Sequence, residues 1–231
     1  MTGSMTNSHF DVIAHEYDVS LPAHVVEHYL RKRTAFVVTH CPPGRALDVG
    51  CGTGVLAERL AGAGYAMTGV DPSEGMLDVL RRRTATVKAV HGSGTALPFP
   101  DGSFDLALTV AVMHHIADPA DVRATLAEMT RVIRPGGYVL IWDHNPRNPY
   151  WSSLMSRVPQ DTGEERLIGE EEVLAGLTAA GARIMLSTQR GLVPDFTPPA
   201  ALKLAAAIER AVERRSLLRR YAAHNVILAT K

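Results

Sequence analysis

Residues 46–57 read Ala46-Leu47-Asp48-Val49-Gly50-Cys51-Gly52-Thr53-Gly54-Val55-Leu56-Ala57. A short apolar run carrying an acid gives way to three alternate glycines and then to a helical pattern, so the stretch is read as strand, tight turn and helix. Gly50, Gly52 and Gly54 let the backbone take positive φ and let a ligand lie against main-chain N–H groups. Dinucleotide sites use Gly-x-Gly-x-x-Gly to seat a pyrophosphate. The spacing here is Asp-x-Gly-x-Gly-x-Gly, which puts a carboxylate where a phosphate would be repelled and points to a ligand carrying positive charge. Asp48 either accepts a hydrogen bond from a cationic amine of that ligand or fixes the loop.

The chain of 231 residues, 46% hydrophobic, is long enough for one large α/β domain. Lys plus Arg (24) balance Asp plus Glu (24), which argues against a nucleic-acid backbone or an anionic membrane as partner. No apolar stretch is long enough to span a bilayer, and a cytoplasmic location is expected. Cys41 and Cys51 form no Cys-x-x-Cys pair, which removes the common zinc and dithiol readings.

Outward from the glycine turn, strands alternate with helices. A helix over 55–62 ends at Gly62-Ala63-Gly64, and a strand over 66–70 delivers Asp71, an acid placed to accept two ribose hydroxyls. Pro72 and Ser73 start the next helix, with Ser73 as its cap and Met76 one turn in, where a thioether packs on a purine face. Further strands are predicted at 86–90, 106–110, 138–142, 183–188 and 225–229, and helices at 22–38, 120–133 and 170–180. Residues 199–221 read as one long helix with Leu204, Ile208, Ala211 and Val212 on one face, either roofing a substrate site or packing as an ordinary helix. Its arginines are read as a solvated face.

Several motifs together resemble the class I S-adenosylmethionine-dependent methyltransferases of small-molecule type. They are the acid with three glycines, the run Gly69-Val70-Asp71-Pro72-Ser73-x-x-Met76, the opening Phe10-Asp11-x-x-Ala14-x-x-Tyr17-Asp18, the pair His114-His115 and Arg131-x-x-Arg134-Pro135-Gly136-Gly137. The last is read as a helix exit and tight turn. The resemblance implies an α/β, doubly wound, mainly parallel seven-stranded sheet (Rossmann-like) of order 3-2-1-4-5-7-6. An N-terminal helical segment precedes it and a helical insertion stands before the last strand. A single domain over 1–231 is expected, with a cap at 10–40, a cofactor core at 45–145 and a substrate-side region at 146–231.

The same resemblance implies S-adenosyl-L-methionine as cofactor, held by Tyr17, Asp48, Gly50, Cys51, Gly52, Thr53, Gly54, Asp71, Pro72, Ser73, Met76, Ser93, Gly94, Thr95, Val110, Ala111 and His115. Ser93 stands where the family usually has an aspartate for the adenine amino group, and a neutral hydroxyl is the weaker acceptor. With strands 4 and 5 adjacent, His114, His115, Asp143 and His144 converge as candidates for proton removal from a hydroxyl acceptor. No metal is expected, because the fourth strand runs out in Val-Ala-Val-Met without an acid. The expected reaction is methyl transfer to oxygen or nitrogen of a small molecule, by a monomer or homodimer that binds neither nucleic acid nor membrane. Arginine outnumbers lysine 20 to 4, as in GC-rich genomes, and natural-product or sugar modification is the expected setting. The alternatives are a non-catalytic S-adenosylmethionine-binding regulator and a nicotinamide-dependent oxidoreductase.

Overall fold

The structure, a computed structural model, describes residues 9–154 and 165–231, with the backbone alone at 152–154. Seven strands form one sheet: β1 (Arg45–Val49), β2 (Ala66–Asp71), β3 (Lys88–His91), β4 (Phe104–Val110), β5 (Ile133–His144), β6 (Arg183–Arg190) and β7 (His224–Thr230). The helices are α1 (Ala23–His40), α2 (Val55–Gly62), α3 (Glu74–Arg83), α4 (Pro119–Val132), α5 (Pro149–Leu154), α6 (Glu170–Ala179), α7 (Leu202–Glu213) and α8 (Ser216–Arg219). The strand order is β3-β2-β1-β4-β5-β7-β6. Strands β1 to β5 run parallel, and β7 runs antiparallel to both β5 and β6.

The pleat divides the sheet residues between two apolar layers. Leu47, Val49, Ala107, Val139, Ile141, Ile227 and Ala229 join one core, in which α4 and α6 supply Leu126, Met129 and Leu177. Ala46, Leu106, Leu108, Leu140, Trp142, Val226 and Leu228 join the other, with Phe36 of α1 and Leu60, Leu77 and Leu80 of α2 and α3. Near-continuous apolar strands are what a sheet covered on both faces requires. Each fully buried leucine contributes roughly 1.5–3 kcal/mol.

Helix starts follow the sequence. The Ser73 side chain accepts from Met76 N at the head of α3, and Asp118 accepts from Ala120 N ahead of Pro119 in α4. Two expectations are corrected. Pro135-Gly136-Gly137 do not stop the preceding helix: α4 ends at Val132, and Ile133 already pairs with Phe104 across an irregular register. Arg131 instead ties this corner together by donating to the carbonyls of Leu97 and Phe99. Residues 199–221 are not one helix but a 3-10 turn (Pro199–Ala201), α7 and α8, interrupted at Arg214 and Arg215. The apolar face of α7 also points outward, with Leu204 67% and Ile208 50% exposed.

Candidate functional site

Strands β2 and β4 lie on opposite sides of β1, and helices leave the sheet in opposite senses there. A crevice therefore opens beyond the carboxyl ends of these strands. It is a cavity of about 940 Å³, within the range of small-molecule sites. Its floor is the glycine turn. Gly50 sits at φ 73°, and a Cβ there would come within 2.6 Å of Val112. Gly54 sits at φ 78°, where a Cβ would lie 2.1 Å from Leu80. Both positions therefore need glycine, one against the β4 loop and one against α3.

Main-chain bonds hold the turn: Gly50 N and Cys51 N donate to Val70 O, and Gly54 N donates to Cys51 O. Asp71 adds a side-chain tie, accepting from Gly52 N (2.8 Å) and Ser73 N (2.9 Å). A carboxylate offers about four acceptor positions, so two remain at Asp71 on the cavity side. Burial pushes its carboxyl above the ordinary range. Among the described residues the Asp48 carboxylate accepts no hydrogen bond, so it does not fix the loop. Burial and then the neighbouring Asp71 charge push it up to about 7, against the opposing pull of Arg33.

The fourth strand ends in a forced conformation. Ala111 is the only non-glycine residue of positive φ (57°) among the described residues, at a strain of about 1–2 kcal/mol. It turns the chain into the 3-10 segment Met113–His115. Asp143, from the end of β5, holds that turn: Oδ2 accepts from Val112 N (3.0 Å) and Met113 N (2.6 Å). Its Oδ1 accepts from His144 N (2.6 Å) and from the His114 ring at Nδ1 (2.7 Å). Burial alone would raise Asp143, but the adjacent His114 and His144 and these hydrogen bonds outweigh it, and the carboxyl lies well below the usual range.

An ionised Asp143 makes His114 Nδ1 the donor, so Nε2 is the ring nitrogen able to take a proton. His114, Asp143 and His144 place their ligand-type atoms within 4.8 Å of one another. With both Asp143 oxygens already accepting two bonds each, the group is better described as an anchored imidazole than as a cation site.

His144 stacks between His114 (ring centroids 3.9 Å apart) and Trp151 (3.6 Å). Burial, then His114, holds its pKa well below the ordinary value, and its Nδ1 has no partner among the described residues. His115 stands edge-on to Phe10 at 5.1 Å, with Nδ1 3.7 Å from Glu165, and burial lowers its pKa too.

Most of the residues expected from sequence converge on this cavity. Its walls include Tyr17, Asp48, Gly50, Cys51, Gly52, Thr53, Asp71, Pro72, Met76, Ser93, Gly94, Thr95, Val110, Ala111, His114, His115 and His144. Gly54, Ser73 and Asp143 do not line it. Gly54 serves the turn and Ser73 caps α3, while Asp143 stands behind His114. Ser93 is exposed, with its hydroxyl paired to Thr95 at 2.8 Å.

Three residues were missed. Arg33 of α1 lines the cavity with its guanidinium 5.7 Å from the centre of the Tyr29 ring. Burial lowers its pKa, and its Nε has no partner among the described residues. Asp11 accepts from Ser73 Oγ (2.6 Å) and Gly75 N (2.9 Å), while Asp18 accepts from Thr53 Oγ1 (2.6 Å) and pairs with Arg83. The opening Phe10-Asp11…Tyr17-Asp18 pattern contained both acids, whereas Arg33 left no local signal.

Residues 47–141 match the family described as "Methyltransferase domain". A demethylmenaquinone methyltransferase of Renibacterium salmoninarum is 35% identical over 65% of this chain and 65% of its own length. One from Staphylococcus aureus is 41% identical over 42% of this chain and 41% of its own. The chain thus spans less than two thirds of these relatives.

Among solved structures, a Thermotoga maritima protein described as a SAM-dependent methyltransferase and possible histamine N-methyltransferase superposes with a TM-score of 0.74. It is 22% identical, over 98% of this chain and 99% of that one. The magnesium protoporphyrin IX methyltransferase of Synechocystis, solved with bound SAH, gives a TM-score of 0.62 at 15% identity, over 88% and 82%. Residues 47–141 are similar to the methyltransferase domain family, and the chain shares the fold of the solved S-adenosylmethionine-dependent methyltransferases on which it superposes.

Proposed function

We propose that the chain transfers the methyl group of S-adenosylmethionine to a hydroxyl of a small molecule, with His114 taking the proton. The observation that carries this reading is the 2.7 Å bond from His114 Nδ1 to a fully engaged Asp143, in the cavity that also holds the glycine turn and Asp71. When bound, the sulfonium supplies an activated methyl group. The chain's own residues do the rest.

In this reading Asp71 accepts from the ribose hydroxyls, Asp48 faces the positive charge of the donor's amino acid end, and Arg33 takes its carboxylate. Met76 and Ser93 border the adenine. The cavity walls fit such a group: two buried acids keep acceptor positions open, and the Arg33 guanidinium, whose Nε has no hydrogen-bond partner among the described residues, lines the same cavity. On the other side, His144, Trp151 and Tyr150 offer an aromatic surface to the acceptor. The alignment of donor and acceptor oxygen supplies several kcal/mol of barrier reduction, and His114 removes the charge that would otherwise build on the oxygen. The relatives named for demethylmenaquinone support a small-molecule acceptor, and the comparisons favour neither a nicotinamide enzyme nor a silent binder.

The test is methyl-labelled donor with a panel of hydroxyl, amine and carbon acceptors, read by mass. Label is expected on oxygen. His114→Ala is expected to lower kcat about 10²-fold, with S-adenosylhomocysteine affinity near wild type. Asp143→Asn, which keeps the shape but loses the anion, should reproduce much of that loss. Label on nitrogen or carbon, or near-normal kcat in His114→Ala, would overturn the assignment of the base.

A further inference from the structure

In α7 the acids face inward and the large apolar side chains face out. Glu209 is 1% exposed, and its carboxylate accepts from Leu192 N (2.7 Å), Val193 N (3.3 Å) and His28 Nε2 (2.9 Å) and pairs with Lys32. Glu213 takes Lys32 and Gly191 N. At about 100° per residue, Leu204, Ala207, Ile208 and Ala211 share the opposite side. Lys203 and Arg210 line one edge of that stripe.

Beyond the break, Leu217 (73% exposed), Leu218 (49%) and Tyr221 (46%) extend the apolar surface. Five of the eleven large hydrophobic residues exposed in the described chain thus fall between 204 and 221. Charge is segregated in the same way. Lys203, Arg210, Arg214, Arg215 and Arg220 are exposed, and none forms an ion pair among the described residues. A chain of zero net charge therefore presents here an apolar surface bordered along one edge of α7 and at the break after it by cationic side chains.

We propose that α7, α8 and the turn to Tyr221 dock on an anionic lipid bilayer. Leu204, Ile208, Leu217 and Leu218 enter the interface while the arginines meet headgroup phosphates. An outward apolar stripe with cationic side chains along its edge suits the headgroup boundary of an anionic bilayer. A second copy of the chain fits less well, because a two-fold contact would set one cationic flank against another.

The surface is also tied to the cavity. Glu209 and Glu213 grip residues 191–193, Val193 O accepts from Tyr29 Oη at 2.8 Å, and Leu192 and Val193 line the cavity wall. A bilayer at α7 would therefore lie directly behind that wall, where an acceptor dissolved in lipid would arrive. Zero net charge is an average over the whole chain and does not report a local cationic surface.

The test is flotation of the full chain with vesicles of phosphatidylcholine alone and of phosphatidylcholine with phosphatidylglycerol, at rising salt. Binding at least tenfold stronger to the anionic vesicles, weakening with salt, is expected. The double variants L204E/I208E and R214Q/R215Q should each lower the partition at least tenfold, about fivefold per arginine, with the thermal midpoint unchanged. Equal partition into both vesicle types, no partition into either, or insensitivity to both double variants would overturn the proposal. So would sedimentation showing that this face instead holds a dimer, dispersed by L204E/I208E.

Discussion

In the proposed reading, Asp48 serves binding at a cost to the unliganded protein. In the unfolded chain it ionises near 3.8, and in the fold near 7. Between those values the folded state holds a proton that the unfolded state lacks, so stability falls as pH rises from about 4 to 7 and stays low above. Asp48→Asn should therefore raise the thermal midpoint of the unliganded protein at pH 8, by a contribution on the order of 4 kcal/mol, with little effect at pH 4. Affinity for S-adenosylmethionine should fall in the same variant, since the carboxylate facing the donor amine is gone. In the wild type, affinity should strengthen from pH 5 to 7.5 as Asp48 gives up its proton. Differential scanning fluorimetry across pH and calorimetry check both halves, and equal midpoints for wild type and variant at pH 8 would refute the buried, unpaired state of this acid.

Residue types and spacing already pointed to Asp48, Asp71 and the histidines. What remained open was direction. Nothing in the sequence says that Asp143 turns toward the backbone of 112–113 rather than into the cavity, or that His144 lies flat against Trp151 and stays neutral. Arg33 was illegible for a similar reason: within α1 it is one of several basic residues, and only the fold sets it beside Tyr29 and the crevice.

At the scale of elements, the segment ahead of α1 is held over the crevice by two acids. Asp11 caps α3 from outside its own chain segment, and Asp18 grips the glycine turn through Thr53 and Arg83. Each contact is between groups distant in sequence, so each ties this segment to the sheet side of the molecule. Asp11→Ala and Asp18→Ala should weaken S-adenosylhomocysteine binding about three- to tenfold each, the range of one or two lost hydrogen bonds. Hydrogen exchange should rise in residues 9–20, and the thermal midpoint should shift by only a few degrees. Unchanged exchange there would mean the segment is held by Phe10 and Tyr17 packing instead.

Helix α7 marks the limit of periodicity. Of the face expected at Leu204, Ile208, Ala211 and Val212, the first three are exposed together while Val212 is half-buried, and periodicity does not tell which face meets the protein. The answer lay in Glu209 and Glu213 meeting Lys32, a partner 177 and 181 residues away. The break at Arg214 and Arg215 has no Gly or Pro to announce it.

For the whole molecule, the sheet was the most legible level. Apolar strands, glycine turns and caps such as Ser73 agree with one another, and the order β3-β2-β1-β4-β5-β7-β6 places the crevice where the ligand-type residues converge. Less legible was the start of β5, since Pro135-Gly136-Gly137 look like a helix stop and instead lie within a strand already paired at Ile133.

The central claim is that this crevice takes S-adenosylmethionine, and the most direct measurement is a calorimetric titration of S-adenosylhomocysteine into the full chain. One site per chain is expected, with no heat from NAD, and with affinity lowered about tenfold or more in Asp71→Ala, where the ribose hydroxyls lose their acceptor. No binding by the wild type, or the same affinity in Asp71→Ala with the fold intact, would contradict the account.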